Sequence, residues 1–467
     1  MKKIPTAILI GAGARGWHAY GEWAYKNRDK LRFVAVAEPR KERREGFADE
    51  WDIKKSRRFK DWKELLNAEI GKIADACLIC TQDRMHTQPA LKALELGYDV
   101  LLEKPMAATE EDCKKLVHAS EKFEQNLRIC HVLRYTTMFS KIKKALTDGL
   151  IGDIITIQHS ENVSPWHFAH AYVRGNWRKA EDSTPVILAK SCHDLDILYW
   201  LVESPTKKIQ SFGSLSYYTR DNSPDGAPER CTDGCPVAES CPWYAPRLYL
   251  YGEPLIQITQ RSKKRWLRFI GKLILNHRRF IKVLSYLIRS LKSVLNWKYW
   301  PATVISDDLS KEKKLEALRE GPWGRCVYKC DNNVVDHQTV NIEFKNGVTA
   351  TFTVHGFSFL DGRWIRISGT KGSLLGSFTY GGEKLVHYDH RYRKKEVLWQ
   401  KDISFQAHSD GDSGLMESFA NSLLEEENQK KEILTSARAS LESHLMGFAA
   451  ERSRKEDRVV LMDDIRD

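Results

Sequence analysis

Short apolar runs alternate with amphipathic stretches in the first third of the chain. Apolar runs without a helical period are typical of buried strands, and the stretches between them have helical spacing. The predicted strands cover residues 7–10, 31–37, 74–81, 98–102 and 127–132, and the predicted helices cover residues 17–28 and 88–96. Strands that alternate with helices in this way predict a parallel, doubly wound α/β sheet.

The hydrophobic pattern changes near residue 153, where apolar and polar side chains begin to alternate one by one. This alternation predicts strands of a mixed sheet with one covered face. The predicted strands cover residues 153–161, 339–344, 348–355 and 364–368, and the predicted helices cover residues 188–198, 415–424 and 437–452. A second α/β domain is therefore expected after the first sheet.

The composition is typical of a soluble protein with more than one domain. The chain has 467 residues, of which 42% are hydrophobic and 29% charged, and this length exceeds one ordinary core. No apolar run approaches the roughly 20 residues of a membrane span, and the apolar part of residues 4–10 is too short for a signal peptide. Several of the ten cysteines lie in apolar strands. We expect a cytoplasmic protein with reduced thiols.

Positive charge is concentrated in one segment. The formal net charge is +12, and residues 254–306 contain no Asp or Glu. The basic residues of this segment are Arg261, Lys263, Lys264, Arg265, Arg268, Lys272, Arg278, Arg279, Lys282, Arg289, Lys292 and Lys298. Apolar residues recur between them at helical spacing, which predicts one or two amphipathic basic helices in an insertion at about 255–305.

Two interpretations of this insertion are open. Basic amphipathic helices can lie on an anionic bilayer, with Trp297, Tyr299 and Trp300 as anchors, which predicts peripheral contact with the inner membrane surface through residues 260–300. Alternatively, the insertion packs on its own domain or on a neighbouring subunit and has a solvated basic face. No motif that reads nucleic acid is present, so we predict no nucleic-acid partner.

A glycine-rich turn follows the first predicted strand. Gly11, Gly13 and Gly16, together with Ala14 and Arg15, have the G-x-G-x-x-G spacing that lets backbone amides approach a pyrophosphate. The alternative is a glycine-rich turn that binds nothing.

Glu38 ends the second predicted strand, where an acidic residue binds the adenosine ribose of NAD. Arg40, Arg43 and Arg44 follow it and could instead hold the 2′-phosphate of NADP. We favour NAD slightly and leave NADP open. The alternative is that these residues are solvated charges at the start of a helix.

Two later loops lie at the same edge of the predicted sheet. The loop from Thr81 to His86 and the loop Glu103-Lys104-Pro105 both follow strands, and ligands of open α/β sheets bind beyond the carboxyl ends of strands. A lysine at this edge can share a proton with a substrate hydroxyl. Lys-Pro is also common in ordinary loops.

These motifs, at these intervals, resemble the Gfo/Idh/MocA family of NAD(P)-dependent oxidoreductases. The resemblance also includes Ala37-Glu38-Pro39 and Arg134-Tyr135. It implies a Rossmann dinucleotide-binding domain at residues 1–130. A substrate-binding and oligomerisation α/β domain with a large open mixed sheet is implied at residues 131–467. The resemblance further implies a carbohydrate-type substrate and homo-oligomers formed sheet to sheet.

The resemblance implies a catalytic pair, Lys104 and His193. In the family an Asp precedes this histidine by four residues, whereas this chain has Ala189 there and Lys190 next to it. The proton relay is therefore in doubt, and Lys190 is a candidate substitute for the missing polar group. The predicted cofactor-binding residues are Gly11, Gly13, Ala14, Arg15, Gly16, Glu38, Thr81, His86, Glu103 and Lys104.

A polar and aromatic run between residues 166 and 178 suits a polyhydroxylated ligand, because flat apolar faces lie beside hydrogen-bond donors. The predicted substrate-binding residues are Trp166, His167, His170, Arg174, Trp177, Lys190 and Asp194. The polar loop at residues 331–338 is a second candidate wall. Any of these side chains could instead be packed in the core.

Cysteines are clustered on both sides of the insertion. Cys231, Cys235, Cys241 and Cys326, with Cys330 nearby, could bind a structural zinc ion at its base. Their spacings are not those of common zinc knuckles, and unligated thiols are the alternative.

The function predicted from the sequence is NAD(P)-dependent oxidation or reduction of a sugar, a sugar derivative or a cyclitol by hydride transfer. One alternative is an NAD-dependent glycosidase that oxidises its substrate transiently. A second alternative is a non-catalytic, membrane-associated protein that binds cofactor and sugar.

Overall fold

The computed structural model describes residues 4–67, 69–277, 281, 295–403, 410–424 and 433–466. Two sheets organise the molecule. The first contains six parallel strands in the order β3-β2-β1-β4-β5-β6. Its strands are β1 (Thr6–Ile10), β2 (Arg32–Ala37), β3 (Arg58–Phe59), β4 (Ala76–Ile79), β5 (Asp99–Leu102) and β6 (Leu127–Ile129). The order reverses between β1 and β4, which opens a crevice at their carboxyl ends.

The second sheet has nine strands in the order β14-β13-β12-β11-β7-β10-β9-β8-β15. Only the pair β7 and β10 is parallel within the described ladder. The strands are β7 (Ile154–Asn162), β8 (Thr206–Ser214), β9 (His337–Phe344), β10 (Thr349–His355), β11 (Gly362–Gly369), β12 (Gly372–Thr379), β13 (Gly382–Asp389), β14 (Lys395–Lys401) and β15 (Val460–Leu461). Buried and exposed positions alternate along β9 and β10, as expected for a sheet with one covered face.

Helices cover both faces of the first sheet and one face of the second. The α-helices with at least five residues are Glu22–Lys26, Lys41–Glu50, Thr87–Glu95, Glu110–Lys122, Thr137–Thr147, Cys192–Val202, Ala245–Tyr249, Glu253–Ile258, Arg265–Asn276, Lys311–Glu320, Gly411–Ser422 and Ala437–Glu456. Shorter α-helices are Trp62–Leu65, Pro165–Phe168, Val186–Ala189, Ala302–Ile305 and Asp463–Arg466, and two π-helical turns are Gly16–Gly21 and Ala169–Val173. Helix Ala437–Glu456 packs between the two sheets, against β8 and helix Glu110–Lys122.

The fold class predicted from the sequence is confirmed: a doubly wound parallel sheet is followed by a large mixed sheet. Several element boundaries differ. The predicted helix at 188–198 is two helices, Val186–Ala189 and Cys192–Val202, with a break at Lys190 and Ser191. The strand predicted at 127–132 ends at Ile129, because a 3-10 turn begins at Val132.

The predicted basic insertion is described only in part. Residues 278–280 and 282–294 lie outside the described residues, as do His408 and Ser409. The described part of the insertion forms helices Glu253–Ile258 and Arg265–Asn276. None of the helices in the described ranges is long and apolar enough to cross a bilayer.

Candidate active site

The glycine loop after β1 forms an open backbone cradle. Gly11 has a φ of +91°, and a Cβ there would lie 2.6 Å from the carbonyl oxygen of Cys80, so the position favours glycine. At Gly13 a Cβ would approach only Nη1 of Arg43, at 3.8 Å. The amides of Gly13 and Ala14 donate to no atom within the described ranges. Free amides beside a helix start are suited to an anion, so this backbone is compatible with a pyrophosphate.

Glu38 lies buried at the carboxyl end of β2, beside the glycine loop. Its Oε2 accepts the Ala12 amide at 2.9 Å, and its Oε1 accepts the Arg40 amide at 3.0 Å. Each carboxylate oxygen has a second lone pair. Glu38 therefore keeps acceptor capacity for ribose hydroxyls.

The arginines after Glu38 are already engaged. Arg44 is buried, and its Nη1 donates to the Glu38 carbonyl at 2.7 Å. Arg43 Nε donates to Asp307 Oδ1 at 3.1 Å, and Arg40 Nη1 lies 3.9 Å from the same oxygen. Asp307 directly follows the acid-free segment. A carboxylate from the end of the insertion thus neutralises two arginines near the predicted ribose site.

Arg15 joins the glycine loop to two other parts of the chain. Its Nε donates to Glu103 Oε1 at 2.6 Å, and its other nitrogens donate to the Asp412 carboxylate at 2.7 and 3.0 Å. Burial alone would raise the pKa of Glu103, but Arg15 and the Tyr20 hydroxyl outweigh burial and lower it. The Arg15 side chain therefore positions the loops. The sequence offered no signal for Asp412 beyond its place in a polar turn.

The loop from Thr81 to His86 is held from two sides. The buried His86 ring lies 2.7 Å from the Pro105 carbonyl oxygen at Nδ1 and 3.2 Å from the Thr81 carbonyl oxygen at Nε2. Its imidazole links the two loops at the sheet edge. Asp83, in the same loop, accepts Nε1–H of Trp177 at 3.1 Å. Through this hydrogen bond Trp177, which lies between β7 and β8 in the chain, contacts a loop of the first sheet.

Lys104 contacts the backbone of the predicted catalytic region. Its Nζ donates to the Ala189 carbonyl oxygen at 2.6 Å. Ala189 ends the short helix before the break, and His193 lies in the first turn of the helix after it. The structure therefore brings Lys104 and the residues around His193 to the same break between two helices.

Two histidines that sequence reasoning missed lie near His193. Ring centroids are 5.7 Å apart for His131 and His193, and 5.3 Å apart for His131 and His444. Burial lowers the pKa of His131 well below its usual range and that of His444 to about 4. His444 Nε2 accepts the Met106 amide at 2.8 Å, and Nδ1 lies 2.8 Å from the Ser440 carbonyl oxygen. These two contacts fit a neutral imidazole protonated at Nδ1. The sequence pattern did not single out His131, because His131 falls inside the strand predicted at 127–132, whereas the strand ends at Ile129.

A buried ion-pair network lies beside the helix break. Arg363 on β11 contacts Glu161 at 2.6 Å and Asp194 at 2.7 Å. His159 Nε2 lies 2.8 Å from Asp194 Oδ1, and Lys190 Nζ lies 3.1 Å from Glu161 Oε1. Burial would raise the pKa of Asp194, but Arg363 and His159 lower it. Of the two predicted substrate contacts in this network, Asp194 is fully buried and Lys190 is partly exposed.

Aromatic rings form a wall near the network. Trp166 and His167 stack with ring centroids 5.3 Å apart. Trp300 packs edge-on against both, at 5.6 and 5.2 Å. His167 Nδ1 lies 3.0 Å from Asp361 Oδ1, and this contact orients its ring. The end of the insertion thus contributes a tryptophan to the predicted substrate wall.

His170 and Arg174 lie deeper than this wall, and both are buried. His170 Nδ1 lies 2.8 Å from the Tyr249 hydroxyl. Arg174 donates to the Trp243 carbonyl at 2.9 Å and to Cys231 Sγ at 3.4 Å. Within the described contacts these two side chains link the wall to the loop that carries the cysteines.

The predicted zinc ligands Cys231, Cys235, Cys241 and Cys326 are free thiols, and Cys330 Sγ donates to the Cys326 carbonyl at 3.2 Å. Within the ranges given above, no group of three or more His, Cys, Asp and Glu side chains is arranged to hold a metal ion. The Arg174 cation also lies beside Cys231. The structure does not assemble the expected tetrahedral site, and zinc binding stays a prediction.

Two models of known protein families match this chain. The family model "Oxidoreductase family, NAD-binding Rossmann fold" matches residues 6–131, and "Oxidoreductase family, C-terminal alpha/beta domain" matches residues 143–232 and 301–462. The chain belongs to the Gfo/Idh/MocA oxidoreductase family. The second match is interrupted between residues 232 and 301, where most of the basic insertion lies.

Relatives within the Gfo/Idh/MocA family match only part of their own length. A 2,7-anhydro-N-acetylneuraminate hydratase of Mediterraneibacter gnavus is 26% identical over 213 residues, which are 46% of this chain and 53% of the relative. Inositol 2-dehydrogenase 1 of Saccharopolyspora erythraea is 28% identical over 138 residues, 29% of this chain and 37% of the relative. The chain thus spans about half or less of these proteins.

Solved structures share the fold of this chain over nearly the whole length of the chain. A structure of an oxidoreductase from Agrobacterium radiobacter in complex with NAD+, L-tartaric acid and magnesium has a TM-score of 0.63 at 15% identity, and the match covers 99% of this chain and 100% of that one. At Ala189, where the family resemblance implies an Asp, the backbone carbonyl oxygen accepts the Lys104 ammonium.

Proposed function

We propose that this Gfo/Idh/MocA protein is an NAD(P)-dependent oxidoreductase that acts on the CH–OH group of a sugar, a sugar derivative or a cyclitol. The observation that carries the proposal is the position of Lys104 between the cofactor edge of the first sheet and the break before His193. The family and the dehydrogenase name of one relative support it.

The bound nicotinamide supplies the hydride acceptor or donor. The Lys104 ammonium has three donors, and one is engaged by Ala189, so others are free to bind a substrate hydroxyl. Lys104 and His193 together hold and move the hydroxyl proton. His193 lies in a buried histidine group, and such a site limits access of bulk water.

The glycine cradle and Glu38 are the proposed cofactor contacts, with NAD preferred over NADP. Glu38 offers carboxylate oxygens to ribose hydroxyls and repels a 2′-phosphate. Arg43 and Arg40, the cations best placed to attract such a phosphate, face Asp307. Binding of NADP would have to compete with this carboxylate.

The proposed substrate wall combines Lys190 and His167 with the faces of Trp166 and Trp300. Lys190 and His167 are partly exposed, and each is oriented by a buried acid, Glu161 and Asp361 respectively. Donors beside aromatic faces suit a ligand with several hydroxyl groups.

A second candidate function uses the same site without net redox change. One relative is named a hydratase. In one type of reaction the enzyme oxidises its substrate transiently, eliminates or adds water, and then reduces the product. Such a reaction needs bound NAD but releases no NADH. Glycoside cleavage by transient oxidation belongs to this class. Release of a free sugar from a glycoside without NADH accumulation would distinguish it from the dehydrogenase.

We also propose that the protein forms homo-oligomers through the open face of the second sheet. Phe212 on β8, Trp364 on β11 and Leu375 on β12 are exposed on strands of this sheet. Large exposed side chains on a sheet are typical of interfaces. Sedimentation of the wild type and of Trp364→Asp tests this: a smaller species is expected for the variant, and an unchanged monomer in both would exclude the proposal.

The function is tested by two measurements on the full chain. Excess NAD+ is expected to raise the thermal midpoint because ligand binds the folded state, and a panel of sugars, sugar acids and cyclitols is then assayed for NADH formation at 340 nm. An unchanged midpoint with both NAD+ and NADP+ would exclude the proposed function.

A further inference from the structure

Helix Arg265–Asn276 exposes an apolar surface. The exposed fractions of Trp266, Phe269 and Ile270 are 59%, 67% and 40%. These residues are spaced i, i+3, i+4, so they share one face of the helix. We call this surface the Trp266 face. Single exposed apolar residues are common in proteins, but a run of large ones along one helix face marks a binding surface.

The Trp266 face is not the face that anchors the helix. Gly271 and Ile274 are buried, and a Cβ at Gly271 would clash with the Thr259 side chain. Gln260 Nε2 donates to the Arg268 carbonyl at 3.2 Å. The helix is therefore already packed on the turn before it, and the Trp266 face is additional apolar surface. Packing of the insertion on its own domain, one of the two interpretations of the sequence, does not cover the Trp266 face, and packing on a neighbouring subunit is distinguished from a lipid surface by the test below.

Another exposed aromatic residue lies next to the turn that precedes the helix. Phe359 has an exposed fraction of 81%, and the Arg261 guanidinium lies over its ring, 4.5 Å from the centroid. Arg261 ends the 3-10 turn Thr259–Arg261, a few residues before Trp266. The loop that carries Phe359 belongs to the second sheet, so the main body of the protein also contributes an aromatic side chain near the insertion.

The charge around the Trp266 face is positive. Lys263, Lys264, Arg265 and Lys272 are exposed, and no acidic residue occurs from 254 to 306. Asp402 accepts the Lys263 amide at 3.2 Å and the Ser262 hydroxyl at 3.3 Å. Aromatic side chains with a basic border are the combination that binds the interface of an anionic bilayer. Aromatic side chains are also enriched at protein interfaces, so a protein partner is the competing occupant, and in that case wild type would not sediment with anionic vesicles in the test below.

We propose that the Trp266 face docks the protein on an anionic phospholipid surface. Trp266, Phe269 and Ile270 enter the region between headgroups and acyl chains, and the lysines and arginines around them bind lipid phosphates. This attachment is peripheral, since the helix lies on the surface and does not span the bilayer. It is independent of the proposed oxidoreductase activity.

The test is cosedimentation of the full chain with vesicles of phosphatidylcholine containing 30% phosphatidylglycerol, and with vesicles of phosphatidylcholine alone. Wild type is expected to bind the anionic vesicles at least tenfold more tightly than the neutral ones. The double variant Trp266→Ser with Phe269→Ser is expected to lose at least tenfold in binding to the anionic vesicles. The thermal midpoint and the response to NAD+ show whether the variant is folded.

Tyr392→Ser is the matched control. Tyr392 has an exposed fraction of 61% and is flanked by Arg391 and Lys394, but it lies at the turn between β13 and β14. Its substitution is expected to leave vesicle binding unchanged. Wild-type affinity in the folded double variant, equal loss in the Tyr392 control, or no sedimentation of wild type with anionic vesicles would each overturn the proposal.

Discussion

The carboxyl edge of the first sheet and the wall beside the second sheet are built in different ways. At the first sheet, Gly11, Glu38 and Lys104 come from short motifs that directly follow strands. At the second sheet, the ion pair of Arg363 with Glu161 joins residues about 200 positions apart in the chain. Local motifs create the proposed cofactor edge, whereas the proposed substrate side is assembled by the pairing of strands that are distant in the chain. Substitutions at the first sheet should therefore weaken cofactor binding, whereas substitutions beside the second sheet should lower stability.

The largest change in the free energy of unfolding is expected in the ion-pair network beside the second sheet. Arg363→Met leaves the buried acids Glu161 and Asp194 without their shared cation, which typically costs about 3–5 kcal/mol. Arg391→Met is the control, because Arg391 is exposed at the turn between β13 and β14, and it should change stability by less than about 0.5 kcal/mol. Urea unfolding measures both. Equal stability of the two variants would remove the assigned role of the network.

At the carboxyl edge of the first sheet we expect substitutions to weaken NAD+ binding without lowering stability. Gly13→Ala adds a methyl group that meets only Arg43 Nη1, at 3.8 Å, in the protein, but it fills the proposed pyrophosphate cradle and should weaken NAD+ at least about tenfold. Titration calorimetry and thermal unfolding check the two effects. Gly11→Ala is the contrast, because its positive φ and its clash with Cys80 should destabilise the fold by about 1–3 kcal/mol. Unchanged NAD+ affinity in Gly13→Ala would place the cofactor elsewhere.

Lowering the pH should weaken a hydrogen bond between helix Ala437–Glu456 and the loop that contains Lys104. His444 in helix Ala437–Glu456 accepts the Met106 amide, two residues after Lys104, and burial lowers its folded pKa to about 4. The unfolded chain, with a His pKa near 6.5, binds more protons between these values, so stability falls as pH decreases from about 6.5 to 4. Each such histidine contributes about 1.4 kcal/mol per pH unit there.

The contribution of His444 is isolated by substitution. His444→Gln should reduce the slope of unfolding free energy against pH in this window by about one proton, while buried His131 continues to contribute. An identical slope in His444→Gln and wild type would show that the Met106 contact does not depend on a neutral imidazole.

The smallest effect is expected where the insertion contacts the cofactor edge. Asp307→Asn frees Arg43 and Arg40 from their carboxylate, so NADP+ should bind roughly threefold to tenfold more tightly, with little change for NAD+. Asp308→Asn is the matched control, because Asp308 accepts the Ser310 amide and contacts neither arginine in the described structure. Titrations with both dinucleotides give the result. Equal shifts in the two variants would exclude a specific role for Asp307.

The sequence predicts the first region well for a physical reason. A buried strand, a glycine turn and an acid at the next strand end are local patterns, and parallel topology brings them to one edge. The same reasoning predicts Lys104 at this edge, whereas His193 is predicted only through the resemblance to the Gfo/Idh/MocA family. Neither route predicts the Ala189 carbonyl contact, because a backbone acceptor has no side-chain signature.

The second region could be predicted only in outline. Alternation predicts β7, β9, β10 and β11, but it does not state which strands pair, and pairing decides that Arg363 meets Glu161. Trp300 is a membrane anchor in the sequence-based interpretation, whereas its ring packs against Trp166 and His167. The end of the insertion thus contributes Trp300 to the predicted wall, whereas Trp266, Phe269 and Tyr299 are exposed.

The central claim is that both regions form one oxidoreductase site around Lys104. It is tested most directly by NADH formation in wild type and Lys104→Ala across the polyol panel, with NAD+ affinity measured in parallel. For at least one polyol we expect turnover that falls at least about 100-fold in the variant. Lys104 is also a predicted cofactor contact, so NAD+ affinity is expected to fall by less than about tenfold, because the glycine loop and Glu38 are retained. Lys92→Ala serves as control. Equal turnover in wild type and Lys104→Ala would contradict the account.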